Sequence, residues 1–323
     1  MEIFVPVFNQ MIYLVALIAI GFLLVRIGNL PKDASRVLAR LTTILFCPAL
    51  IISNFMDYFT VDKLGERFTT MLSSTVILLI MAIPCIVIAK VVYKKDAFLR
   101  KIATYGLMSS NFGYMGLAVM EGAFPDVFAE YTVFIIPHYI QIYAFLIPML
   151  LIPGKDGDEK FSIKSLGGRL LNPLLIAMLV GMVIGITGIG YVLPLSVKKI
   201  FSGLGGCMSP MAMLLSGMIL AGCSLKNVLK SWHLYFISFV RLIAIPIVAI
   251  AVLALLPKGE ILTREFIICV VCAAAMPLGM NAIVIPSGYG NDSPDAAGMT
   301  LISHLFSVAT IPLMFSLMNI WVL

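Results

Sequence analysis

Residues 78–89 read LLIMAIPCIVIA and residues 240–251 read VRLIAIPIVAIA. Set at an offset of 162, they align Ala82-Ile83-Pro84 with Ala244-Ile245-Pro246. Both are apolar runs, interrupted only by Arg241 in the second, that carry an internal proline, which a membrane helix tolerates when its neighbours satisfy the freed carbonyl. Proline positions therefore serve as fiducial marks, and three more pairs share nearly the same spacing. Leu30-Pro31 recurs as Leu193-Pro194 (offset 163), Pro48 as Pro210 (162) and Ile147-Pro148 as Ile311-Pro312 (164). Four pairs at one spacing indicate a tandem duplication with a unit of about 160 residues.

The surroundings of these runs identify their solvent. The 323 residues are 61% hydrophobic and 12% charged, with a mean hydropathy of +1.07. A soluble domain carries about 25% charged residues, so this chain lacks the polar surface that water requires. Apolar stretches long enough to cross a hydrocarbon core of about 30 Å recur throughout, and strand-length alternation does not. Ten segments emerge, at 6–26, 36–56, 68–92, 101–122, 127–152, 170–190, 197–222, 231–256, 265–286 and 295–320. The N-terminus, MEIFVPVFNQ, has no basic region, so the first apolar run reads as a retained span and not as a cleaved signal.

The expected architecture is an all-α integral membrane protein of ten spans. Residues 1–152 form a first five-helix repeat, 153–169 a polar linker and 170–323 a second repeat. An odd number of spans per unit inverts the second copy, an arrangement typical of secondary transporters whose site lies near mid-membrane between the repeats. With both termini outside, the inside loops hold fifteen basic residues (Arg26, Lys32, Arg36, Arg40, Lys90, Lys94, Lys95, Arg100, Lys101, Lys155, Lys160, Lys164, Arg169, Lys226, Lys230). The outside loops hold six (Lys63, Arg67, Lys198, Lys199, Lys258, Arg264). The bias places the termini outside a cell membrane and the linker in the cytoplasm. Distributed this way, the net charge of +6 orients the chain and does not indicate nucleic acid.

Helix-poor residues cluster at matching places in the two units. The fourth segment contains SSNFGYMGLAVMEGAFP (109–125), with Asn111, Gly113 and Gly116. The ninth contains AAAMPLGMNAIVIPSGYGN (273–291), with Pro277, Gly279, Asn281 and Pro286. Gly116 and Gly279 are 163 apart. Two broken, crossed helices are expected, whose half-helix N-termini suit an anion and whose unwound carbonyls suit a cation. Close helix packing is the plainer account of the glycines. Asn111 and Asn281 add donors and acceptors without permanent charge, as a site for a small polar molecule would.

These stretches resemble the auxin efflux carrier family, which includes plant PIN-type carriers and bacterial malate and malonate permeases. The resemblance spans nearly the whole chain, through ILFCPALIISNF (44–55), SSNFGYMGLAVM (109–120), SPMAMLLSGMILAG (209–222), RLIAIPIV (241–248), MPLGMNAIVIPSGYG (276–290) and SHLFSVATIPL (303–313). It implies a ten-span inverted-repeat fold with a scaffold, a transport subdomain and crossed fourth and ninth helices. It also implies movement of small organic anions and a homodimer. The family's pattern has a proline shortly after the glycine of the fourth span, where this chain has Ala118.

Ionisable residues inside spans are functional candidates because burying them in lipid is costly. Arg241 breaks the symmetry, since its repeat counterpart is Leu79. Its functional role is a counter-charge near a carboxylate substrate or between subdomains, and its structural role is a cap on backbone carbonyls or a charge that snorkels to the cytoplasmic face. His138, Gln141 and His304 are candidates for proton coupling, against the plainer reading of neutral residues bonded between helices. Asn54, Ser53 and Ser216 are candidates for the scaffold side of the cavity. No catalytic constellation, cofactor motif or metal spacing is found, and Cys269 and Cys272 read as small packing residues. The expectation is thus a carrier of small organic anions, a dicarboxylate such as malate or malonate among them, with proton or sodium coupling. The alternatives are a sodium-coupled symporter of bile-acid type and an integral membrane enzyme or sensor.

Overall fold

The computed structural model describes residues 4–31, 33–66, 68–152, 172–222, 230–256, 262–291 and 293–323. The expected linker 153–169 and the basic residues Lys32, Arg67, Lys155, Lys160, Lys164, Arg169, Lys226 and Lys258 lie outside them. The described residues are helical, and their one β-type pairing is an isolated bridge between Ser110 and Leu278.

In chain order the main helices are α1 (Phe4–Arg26), α2 (Ala34–Tyr58), α3 (Phe68–Val92), α4 (Ala97–Met108) and α5 (Leu117–Ala123). They continue with α6 (Phe128–Leu151), α7 (Pro173–Thr187), α8 (Leu195–Ala221) and α9 (Trp232–Leu255). The last three are α10 (Arg264–Ala275), α11 (Asn281–Gly288) and α12 (Pro294–Trp321). Among the described residues, six of these helices (α2, α3, α6, α8, α9 and α12) are long and apolar enough to cross a membrane. The expected fourth and ninth segments are each split in two, α4 with α5 and α10 with α11.

Local chemistry sets the helix starts. Asn172 accepts from the N–H groups of Leu174 and Leu175 just before Pro173, whose missing N–H costs nothing in a first turn. Thr263 caps α10 through the Phe266 N–H, and Ser293 caps α12 through the Ala296 N–H, again ahead of a proline. α7 ends at Gly188, whose φ of +70° a side-chain-bearing residue seldom adopts.

Inside the helices, three of the repeated prolines lie in or just beyond a widened turn. The turn at Thr42–Phe46 precedes Pro48, that at Val240–Ala244 precedes Pro246, and Pro148 lies within the widened stretch Gln141–Leu151. Proline lacks the donor for its i−4 carbonyl and crowds that carbonyl, so the ladder relaxes to i→i−5 bonds. The Cys47 N–H accordingly reaches Thr42 O, and the Ile245 N–H reaches Val240 O.

Helix pairing follows the duplication. α1 packs along the second half of α8, and α7 along α2. α3 touches α4 and α6, while their counterparts α9 touches α10 and α12. Glycine permits the closest approaches. A Cβ on Gly217 would lie 2.7 Å from the Phe22 nitrogen, and one on Gly185 would lie 2.6 Å from the Phe55 carbonyl oxygen. Lipid offers no hydrophobic drive for helices to associate, so this backbone-to-backbone packing is what holds them.

Gly217→Ala is expected to lower the thermal midpoint of the detergent-solubilised protein, because α1 must be pushed away at a cost of about 1–3 kcal/mol. Gly203→Ala gains the same helix propensity in open space and is expected to leave the midpoint unchanged or slightly raised. Equal midpoints for the two variants would refute the contact.

Candidate functional site

The two breaks lie against each other. The Asn111 N–H donates to Pro277 O at 2.7 Å, and the Gly279 N–H donates to Ser109 O at 3.0 Å. A two-bond crossing thus supplies partners to main-chain groups that leave the helical ladder, as the low-dielectric interior requires. Pro277 accounts for one break, since it cannot donate within α10. The other occurs at Asn111 without proline, and α5 runs unbroken through position 118, so the crossing bonds do there what ring geometry does on the other strand. Gly279 is needed for the approach. A Cβ there would lie 3.0 Å from Ser109 O and 3.2 Å from Ser110 O.

Arg241 holds the far side of this crossing. Its Nε donates to Met276 O at 3.1 Å, one terminal nitrogen to Leu107 O at 3.0 Å, and the other to Ala273 O and Ala274 O at 2.9 and 2.8 Å. These oxygens belong to the last turns of α4 and α10 and the residue just beyond. Each helix C-terminus carries roughly half a negative charge, so one guanidinium balances two. Of the two roles open to Arg241 in the sequence, carbonyl capping is the geometry observed. Arg241 is 4% exposed.

α12 clamps the crossing from its other side with two consecutive residues. The Ser303 hydroxyl accepts from the Leu278 N–H at 3.3 Å, and the His304 ring stands 3.1 Å from Asn111 Nδ2 through Nε2. His304 Nδ1 bonds to Thr300 O at 2.8 Å. Asn111 and Asn281 are both buried, and among the described residues the side-chain oxygen of each has no hydrogen-bond partner. Asn281 also bonds to the Tyr105 hydroxyl, to which Ser109 donates at 3.2 Å.

The remaining candidates divide into groups. Gly113 and Gly116 admit tyrosines: a Cβ on Gly113 would lie 2.6 Å from the Tyr139 hydroxyl, and one on Gly116 would collide with that of Tyr131. Close packing therefore explains both glycines. Asn54 donates to the Tyr139 hydroxyl at 3.0 Å, which ties α2 to α6. Ser53 bonds within its own helix to Asp57, and the buried Ser216 donates to Ala212 O at 2.8 Å within α8. His138, Gln141 and Arg241 come together with Ser110 on the wall of a cavity of about 500 Å³ between α3, α6, α9 and α10. His138 Nδ1 is 3.3 Å from the Ser74 hydroxyl.

Sequence reading passed over Tyr105, Tyr131, Tyr139, Thr300 and Ser303. A signal existed only for the last two, hydroxyls one turn before His304 and directly beside it in an apolar helix. Cys269 and Cys272 are buried free thiols, and the described residues hold no cluster of three metal-ligating side chains.

The sequence profile of the family described as "Membrane transport protein" matches the chain twice, over residues 6–165 and 158–315. No curated protein matches significantly.

Replacing Arg241 with leucine is expected to destabilise the protein by about 3 kcal/mol or more, because four buried oxygens lose a charged donor. Arg241→Lys, with one point of charge in place of a planar fork, should recover part of the loss. Thermal unfolding in detergent measures both, and a leucine variant as stable as the wild type would contradict the capping role.

Proposed function

Because the chain belongs to the membrane transport protein family, the family of the auxin efflux carriers, we propose that it is a secondary transporter of small organic anions. The substrate class is carboxylates, with dicarboxylates such as malate or malonate first. The crossing of the two broken helices carries this reading. Asn111 and Asn281 begin the helical segments that leave the crossing and bring polar groups, without net charge, to a buried point. A carboxylate taken up there meets helix N-termini and amides that need not be desolvated again for each turnover.

In this reading the ten segments form two inverted five-span repeats, and the crossed helices with α3, α6, α9 and α12 move against a scaffold of α1, α2, α7 and α8. The strong pairing of α1 with α8 and of α7 with α2 supports such a division. Asn54 joins the two parts through Tyr139, at the boundary where motion must occur. Gly113, Gly116, Pro277 and Gly279 shape the breaks, while Ser53 and Ser216 stand on the scaffold. Arg241 acts on the substrate through the helix ends it neutralises. His138, Gln141 and His304 are the candidates for coupling. Both termini face outward, and two copies pair as a homodimer.

A sodium-coupled symporter of bile-acid type is the second reading. The unpartnered oxygens of Asn111 and Asn281 favour it, because two acceptors without donors suit a hard cation.

Uptake of labelled mono- and dicarboxylates into proteoliposomes, under imposed proton or sodium gradients, separates these readings. Saturable uptake of a carboxylate is expected, with Asn281→Ala reducing it at least about tenfold, the loss of roughly one buried hydrogen bond. Uptake that requires sodium would select the second reading. Folded protein that moves no carboxylate under any gradient would remove the anion assignment.

A further inference from the structure

The hydrogen bonds of His304 fix more than its own place. The Thr300 main-chain oxygen can only accept, so Nδ1 must carry the hydrogen of that 2.8 Å bond. A neutral ring then has only a lone pair at Nε2, and the amide group 3.1 Å away must present its NH2 to it. One N–H of Asn111 Nδ2 is therefore committed to the ring, and Asn111 Oδ1 is turned away from it. That oxygen is the one left buried without a donor, a state that costs about 1–3 kcal/mol. At an anion site it is also of the wrong polarity, because a carboxylate needs donors.

We propose that His304 is the positioning residue that sets which face of the Asn111 amide meets the substrate, and that it does so by taking up a proton together with the anion. The proposal rests on the organic-anion reading of this site. Protonation places a hydrogen on Nε2 and opposes two donors at hydrogen-bond distance. Rotation of the Asn111 amide by half a turn about its last torsion, which has two near-equivalent wells, restores the pair. Oδ1 then accepts from Nε2, and the NH2 takes the direction that Oδ1 held. The amide oxygen and nitrogen are nearly the same size, so the surrounding packing is unchanged.

The two ligands depend on each other. A buried imidazolium alone is expensive, and an anion facing a bare carbonyl oxygen is repelled. Bound together, the imidazolium offsets one negative charge of the anion, and the NH2 donates to the carboxylate. The proton comes from solvent and returns to it on release, one for each anion.

Other charges do not perform this function. In the interior, the titratable and charged groups on the elements packed against α12 are Tyr105 on α4, Arg241 on α9, and Cys269 and Cys272 on α10. Away from the interior these elements carry Tyr13 and Arg26 on α1, Arg100 and Lys101 on α4, Lys198, Lys199 and Cys207 on α8 before its stretch against α12, His233 and Tyr235 on α9, and Arg264 and Glu265 on α10. On α12 itself Asp295 lies about 14 Å back along the helix. Arg241 is engaged by four carbonyls, and among the described residues the hydrogen-bond partners of the ring are Thr300 and Asn111 alone.

The test is proton uptake on binding malonate, read with a pH indicator in weakly buffered detergent solution near neutral pH, where malonate is already ionised. Wild type is expected to take up one proton per malonate, with affinity falling about tenfold per pH unit. His304→Gln, which keeps a hydrogen-bonding amide, is expected to bind malonate with no proton uptake and a flat pH profile. The chain has three histidines, so 15N-labelled imidazole signals, assigned with His138→Gln and His233→Gln, report on His304 in folded wild type. They should show the hydrogen on Nδ1 before malonate and on both nitrogens after. Malonate binding with no proton uptake, or uptake that persists in folded His304→Gln, overturns the proposal and leaves the anion reading standing. No binding of malonate, malate or a monocarboxylate to folded wild type overturns both.

Discussion

Two helices that end in the middle of a protein leave their last carbonyls without partners, and in lipid no water comes to satisfy them. Here both α4 and α10 end at the same depth, and the Arg241 guanidinium reaches oxygens from each. The rigid planar fork suits this task, because it spreads four donors over two backbones while carrying one charge that opposes two helix dipoles. With these ends held, the chain is free to cross itself through the bonds Asn111–Pro277 and Gly279–Ser109. The polar residues after each break then sit at one buried point.

The rest of the molecule is arranged to keep that point intact. α12 grips both strands of the crossing, through Ser303 on one and His304 on the other. α6 supports the strand after Asn111 with Tyr131, whose hydroxyl donates to Phe112 O at 3.1 Å, and with Tyr139, which faces Gly113. Away from the crossing, pairing is by bare backbone. Glycine on α8 meets α1, and glycine on α7 meets α2, with no polar bond required. The result is a polar, over-determined centre beside an apolar, glycine-packed flank.

Much of this was legible in the residues, and the gaps have a common cause. The proline marks gave the duplication because they survive as single letters at a fixed spacing, and three of them prove to sit with widened turns. The breaks were legible because Asn, Gly and Pro crowd where a helix should continue. Arg241 stood out as a charge in an apolar run, but its partners, at Leu107, Ala273, Ala274 and Met276, are main-chain oxygens that no letter encodes. Gly113 and Gly116 suggested a ligand site, and the structure fills the space beside them with tyrosines from a helix whose approach angle the sequence does not give.

By itself, then, the sequence determined the solvent, the helices, the repeat and the stretches in which two helices break. All of these follow from composition and spacing along the chain, where hydrophobicity and backbone propensity act locally. Only the tertiary structure decided which groups face one another across the break. Asn111 and His304 are far apart along the chain yet share a hydrogen bond, and Arg241 was open to two roles until its donors were seen on carbonyls. Such pairings depend on helix rotation and crossing angle, and those are settled by the packing of all the helices together, which has no local signature.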